Sequence, residues 1–251
     1  MFSKLFHWLG QRLVQYLDEP ILGYQSFSTT TAADLRPCIQ PGDVLLVDGN
    51  LRISLAIKYL TQSTWSHAAI YVGPDAGLTD EYGNPAELIE ADAGKGVIAV
   101  SLNKYDGFNT RICRPVKLTK TDSRTLMDAL VASIGRQYDI NNFIDLIRFT
   151  FPQPPVPQKW RRRMLALGSG EPTRAICSTL IAEAFEQIRY PILPTVTRKN
   201  AKELFHIRHH SLYTPRDFDI SPYFEIVKPT LAKDFNYRNI VWSKHNLPTD
   251  F

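Results

Sequence analysis

The chain is expected to form an α+β fold, an antiparallel sheet packed against a helix that carries a cysteine in its first turn. Three observations predict it. Short apolar runs separated by Gly, Pro, Asn and Asp occupy residues 44–47, 67–73, 87–91, 97–100 and 110–116, which is the pattern of buried strands joined by hairpin-length loops. From residue 121 onward the period changes to three and four, the period of a helix with one buried face. The same period returns after Cys177, through Leu180, Ile181, Ala184, Phe185 and Ile188.

Composition bounds what such a chain does. At 251 residues and 44% hydrophobic it buries a substantial core, as one large domain or one domain with appendages. A net charge of +4 favours anionic surfaces but lacks the concentrated basic signature of a nucleic-acid binder, so no nucleic acid is expected as a partner. Cys38, Cys113 and Cys177 are too scattered for a disulfide scaffold and lack the paired spacing that zinc requires, so neither metal nor cofactor is expected.

Residues 1–17 place Phe2, Leu5, Phe6, Leu9, Leu13, Tyr16 and Leu17 on one helical stripe. Lys4, His7, Gln11 and Arg12 interrupt any apolar centre a secretory signal would need, and no apolar run reaches the ~18 residues of a membrane span. A cytoplasmic or peripheral-membrane protein is the expectation, the stripe either docking on the core or lying on a membrane surface. Residues 1–39 are thus read as an amphipathic helix and linker, 40–190 as the catalytic core, and 191–251 as an extension wrapping it.

Within the core, Gln40-Pro41-Gly42-Asp43 reads as a turn and Ile53, Ala56, Ile57 and Leu60 as a helical face. His67 opens a strand, residues 76–86 form a loop, and Gly94-Lys95-Gly96 turns the chain into the strand at 97–100. Thr121 or Asp122 is a candidate N-cap for a helix ending at Gly135. Residues 141–149 fit a further helix, and the proline run 152–157 stays extended. Lys159-Trp160-Arg161-Arg162-Arg163 is a dense basic cluster, either a solvated face or a contact for anionic head groups or phosphate. A short helix is expected over 200–205.

Cys177 at a helix start is a candidate nucleophile, because unpaired N–H groups and the positive end of the helix dipole stabilise a thiolate. Most buried cysteines are inert core, so the assignment needs a base. His67 is the best placed of the six histidines, and Glu90 on the next strand can fix its tautomer across an antiparallel pair.

Residues Ser66-His67-Ala68-Ala69-Ile70-Tyr71-Val72-Gly73, Leu88-Ile89-Glu90-Ala91 with Gly94-Lys95-Gly96-Val97, Gly135-Arg136-Gln137-Tyr138-Asp139 and Ile176-Cys177-Ser178-Thr179-Leu180-Ile181 carry a resemblance. Together, in this order, they resemble the circularly permuted branch of the NlpC-type papain-like hydrolases, the YiiX-like proteins and lecithin:retinol acyltransferase among them. The resemblance spans about residues 40–190 and implies a papain-like fold in which the sheet with its histidine precedes the cysteine helix. It implies Cys177 as nucleophile, His67 as base and Glu90 as orienting group. Tyr138 matches a tyrosine that lines the pocket and assists the oxyanion hole in relatives; bracing the loop is its other use. The Cys177 backbone N–H is the other oxyanion donor, a role typically worth about 3 to 4 kcal/mol.

The expected activity is a thiol hydrolase acting on the carbonyl of a small amide, a peptide or an ester through a cysteinyl thioester. Two alternatives stand beside it. One is a lipid-directed phospholipase or acyltransferase at a membrane surface, favoured by residues 1–17 and the Trp160 cluster; the other is a non-catalytic binding module with a structural Cys177.

Overall fold

The computed structural model describes residues 19–21, 28, 30–92, 94–137, 176–199, 202–229 and 238. The expected helices at 1–17 and 141–149, the proline run and the basic cluster at 159–163 lie outside the described residues.

The frame is a six-stranded, wholly antiparallel sheet, as the short apolar runs predicted in kind. Its strands are β1 (Val44–Val47), β2 (His67–Tyr71), β5 (Leu88–Asp92), β6 (Gly96–Val100), β7 (Thr110–Pro115) and β10 (Phe224–Val227), in the order β10-β7-β1-β2-β5-β6. Two-residue strands β3 (Leu78–Thr79) and β4 (Pro85–Ala86) form a hairpin within the predicted loop at 76–86. The apolar run at 44–47 is central, inserted between β2 and β7.

Helices cover both faces, giving a mixed α+β architecture of the kind layered folds require to bury a sheet. Helix α1 (Ala32–Leu35) packs on one face with the 3₁₀ turn at Leu102–Tyr105. Helix α2 (Arg52–Thr61) connects β1 to β2. On the other face lie α3 (Lys120–Ala132) and α4 (Ile176–Gln187), whose Leu180, Ile181, Ala184 and Phe185 meet Ala68, Ile70, Ile89 and Ala91. Helix α5 (Pro215–Ile220) and β10 then close an aromatic cluster: Phe185 and Phe218 lie 5.4 and 5.6 Å from Phe224, and Tyr190 lies 5.4 Å from Phe185. Such edge-on aromatic pairs add to plain area burial.

Three expectations are corrected. Residues 202–205, within the expected helix at 200–205, are strand instead: β8 (Thr195–Lys199) and β9 (Lys202–His206) form a hairpin pairing Lys199 with Lys202. Thr195, Val196 and Thr197 are β-branched, and that preference for extended backbone, completed by pairing, overrides the short helical spacing. The cap of α3 is Thr119, whose hydroxyl accepts from Asp122 N–H (3.1 Å), and the helix ends at Ala132, ahead of a turn through Gly135. The connection before residue 41 contains α1, capped by Thr31 and Asp34 in a reciprocal box.

The turn at 40–43 forms as expected and is locked by a buried ion pair. Arg114 donates to both oxygens of Asp43 (2.9 and 2.7 Å), while Gln40 N–H donates to Asp43 Oδ2 (2.8 Å). Gly96 enters β6 with φ +79°, and a Cβ there would sit 2.4 Å from the Arg136 carbonyl oxygen that accepts from Val97 N–H. Gly96→Ala is therefore expected to cost about 2 kcal/mol or more in urea denaturation, combining left-handed strain with displacement of backbone. Gly107 has a similar φ of +83° with open space around it, so Gly107→Ala should cost only about 1 kcal/mol. Equal costs would mean that the Arg136 contact yields freely.

Candidate active site

His67, Glu90 and Cys177 come together at one place in the sheet. The pairing of β2 with β5 covers only Ile70↔Ile89 and Tyr71↔Leu88, so towards His67 the two strands part. Tyr71 turns its N–H and C=O towards residues 42–43 on the β1 side; by alternation Ala68 turns its N–H into the gap beside β5. There it donates to the sulfur of Cys177, carried in by the first turn of α4. Ser178 Oγ lies 4.0 Å from the same sulfur. Ser66 holds the strand start, its hydroxyl accepting from Gly49 N–H (3.0 Å).

His67 is half-buried and bridges the other two. Its Nε2–H donates to Glu90 Oε2 (3.2 Å), and Cys177 lies within hydrogen-bonding reach of the ring. With Nε2 engaged by the carboxylate, Nδ1 is the nitrogen left to serve the sulfur. Glu90 is 1% exposed, and three groups donate to it: Lys104 Nζ to Oε1, and Tyr105 Oη and His67 to Oε2.

Lys104 and Tyr105 escaped sequence reasoning, since no motif marks them. A second glutamate positions them: Glu87 Oε2 accepts from Leu102 N–H (3.0 Å), and Glu87 Oε1 accepts from Arg36 (3.0 Å). Arg36 also donates to Asn103 Oδ1 (3.0 Å). This web folds the Leu102–Tyr105 turn back over β5.

The electrostatics follow from burial set against pairing. Burial disfavours a charged imidazole, yet the Cys177 thiolate and then Glu90 outweigh it and raise the His67 pKa to about 10. Burial likewise disfavours the Cys177 thiolate, but the imidazolium, Ala68 N–H and Ser178 hold the thiol below its ordinary value. Glu90 is brought to about 2, burial being overcome by His67 and Lys104. Burial and the adjoining Glu90 push the Tyr105 phenol well up, which keeps it a donor. The other thiols go the opposite way: burial pushes Cys113 to about 12 and raises Cys38. Of the three cysteines, only Cys177 sits where a thiolate is favoured.

Tyr138 and the cluster Trp160, Arg161, Arg162 and Arg163 lie outside the described residues. Beside the site, a groove of about 1390 Å³ runs between β6 and the β3–β4 hairpin and meets the cluster at Lys104. Among the described residues no group of three or more His, Cys, Asp or Glu could hold a metal ion, and no helix is long and apolar enough to cross a membrane.

No family model and no curated protein matches the chain. Among solved structures it is similar to the crystal structure of metalloprotein yiiX from Escherichia coli O157:H7. The match has 15% identity and a TM-score of 0.45, and it covers 76% of this chain and 97% of that one.

Proposed function

We propose that the chain is a thiol hydrolase with a circularly permuted papain-like core, cleaving an amide or ester carbonyl through a thioester on Cys177. The observation that carries this reading is the contact network Cys177–His67–Glu90 in the gap between β2 and β5, with the thiol pKa lowered and the imidazole pKa raised. The Cys177 thiolate attacks the carbonyl carbon, forming a C–S bond and an oxyanion for which the N–H groups at the start of α4 are the proposed donors. The oxyanion collapses, the bond to the leaving nitrogen or oxygen breaks, and His67 gives that atom its proton. Neutral His67 then takes a proton from water, whose oxygen attacks the thioester carbonyl; the C–S bond breaks and the thiolate returns with the carboxylic acid released.

The test begins with iodoacetamide at neutral pH and peptide mapping by mass spectrometry. Cys177 is expected to alkylate at least about tenfold faster than Cys38 or Cys113, and His67→Ala to abolish that lead. The protein is then incubated separately with acyl peptides and with phospholipid vesicles, and the Cys177 peptide is searched for an acyl mass. An acyl-enzyme from peptides supports the amidase form and one from vesicles the lipid-directed form. Equal labelling of the three thiols, unchanged in His67→Ala, would sink both.

A further inference from the structure

We propose that Lys104 is a positioning residue for the Cys177–His67 pair, holding Glu90 together with Tyr105 and sharing its charge, so that the proton on His67 stays transferable. The inference rests on the thiol-hydrolase reading and adds to it a control of that same site. Its ground is the asymmetry of the contact. Glu90 is buried to 1% exposure, yet its ionic partner is a lysine whose side chain keeps 43% of its surface in water at the mouth of the groove. The lysine, with free access to solvent, turns inward to the carboxylate and takes Oε1, the oxygen His67 leaves open, with its ammonium also 5.5 Å from the Tyr105 ring centroid. Tyr105 Oη shares Oε2 with His67, and its ring lies 6.1 Å from the imidazole. Both carboxylate oxygens are thereby fixed, and Oε2 is aimed at Nε2–H, which keeps Nδ1 towards the sulfur.

The charge consequence follows from the same contacts. The groups facing His67 are Cys177 from α4, Glu90 from β5 and Tyr105 from the 3₁₀ turn, with Lys104 of the same turn on the far oxygen of Glu90. Asp92, further along β5, also acts on Tyr105, with its Oδ1 accepting from Gly94 and Lys95 N–H. Without Lys104 the whole carboxylate charge acts on the imidazolium, which then holds its proton more tightly. A nearby positive charge also stops stabilising the thiolate. Removing the lysine charge therefore moves both midpoints upward.

The experiment compares wild type, Lys104→Met, Lys104→Arg and Tyr105→Phe, all in the full chain. The His67 midpoint is followed by NMR of its ring carbon, assigned with His67→Gln, and the acid limb of Cys177 alkylation is followed against pH. Lys104→Met is expected to raise both midpoints by about 1 pH unit, Lys104→Arg to restore them, and Tyr105→Phe to raise them by less. A thermal melt confirms folding of each variant. Midpoints unchanged in folded Lys104→Met, or not restored by arginine, would overturn the proposal. The His67 titration is read whether or not Cys177 alkylates fast. Failure of the hydrolase reading, seen in the wild-type alkylation, is thus distinct from failure of this one.

Discussion

Replacing Cys177 by alanine is expected to reduce hydrolysis by on the order of 10³-fold or more, since among the described residues it is the thiol in contact with His67. The fold should survive. The sulfur is buried but anchors none of the aromatic packing around Phe185, and once it is gone His67 keeps Glu90 as its charge partner. The Tm of Cys177→Ala should therefore fall by only a few degrees from wild type. The His67 midpoint should fall sharply from about 10, because the thiolate is the larger of the two attractions that raise it. Cys113→Ala is the matched control. That thiol is fully buried in the β1/β7 region, with its pKa pushed to about 12, so the variant should lose about 1 kcal/mol of stability and no activity. Retained turnover in Cys177→Ala would remove the thioester from the mechanism.

Glu90→Gln carries the second large effect, because it keeps the shape of the side chain and deletes the charge on which His67, Lys104 and Tyr105 converge. A loss of about 2 kcal/mol is expected at neutral pH, less than for a fully buried ion pair because Lys104 can turn to water. The pH dependence separates the causes. Glu90 has a folded pKa of about 2 against an ordinary 4.5, so its contribution is present above 4.5 and disappears as pH falls through about 2. His67, raised from 6.5 to about 10, contributes fully below 6.5, and that share is lost as pH rises through about 10. Urea midpoints measured at pH 3, 7 and 10 should therefore converge for wild type and variant towards both extremes and lie furthest apart near neutrality. Parallel curves across that range would contradict the assignment.

The strands β1, β2, β5 and β6 were legible because each buries nearly every residue, and the α4 face was legible through Leu180, Ile181, Ala184 and Phe185. Cys177, His67 and Glu90 could be singled out because each is a reactive residue type at the start of, or within, a recognisable element. What stayed hidden depends on contacts between distant segments. The central place of β1 follows from pairing with both β2 and β7, which its own apolar run does not encode. Strand β10 is four residues with Glu225 in its middle, and it becomes a strand only by pairing with β7. Lys104 and Tyr105 reach Glu90 because Glu87 captures the Leu102 N–H, and no local spacing announces that turn.

The late position of the cysteine helix in the chain has a consequence for biogenesis. The sheet segments that supply His67, Glu90 and Lys104 leave the ribosome well before α4, while Phe218 and Phe224, which pack with Phe185 to seat that helix, come later still. Closure of β10 on β7 joins residues far apart in sequence, a slow step among the contacts of this topology. On the hydrolase reading proposed above, the thiol of Cys177 is favoured as a thiolate only where His67 and the Ala68 N–H reach it, an environment complete only after α4 has seated on the sheet.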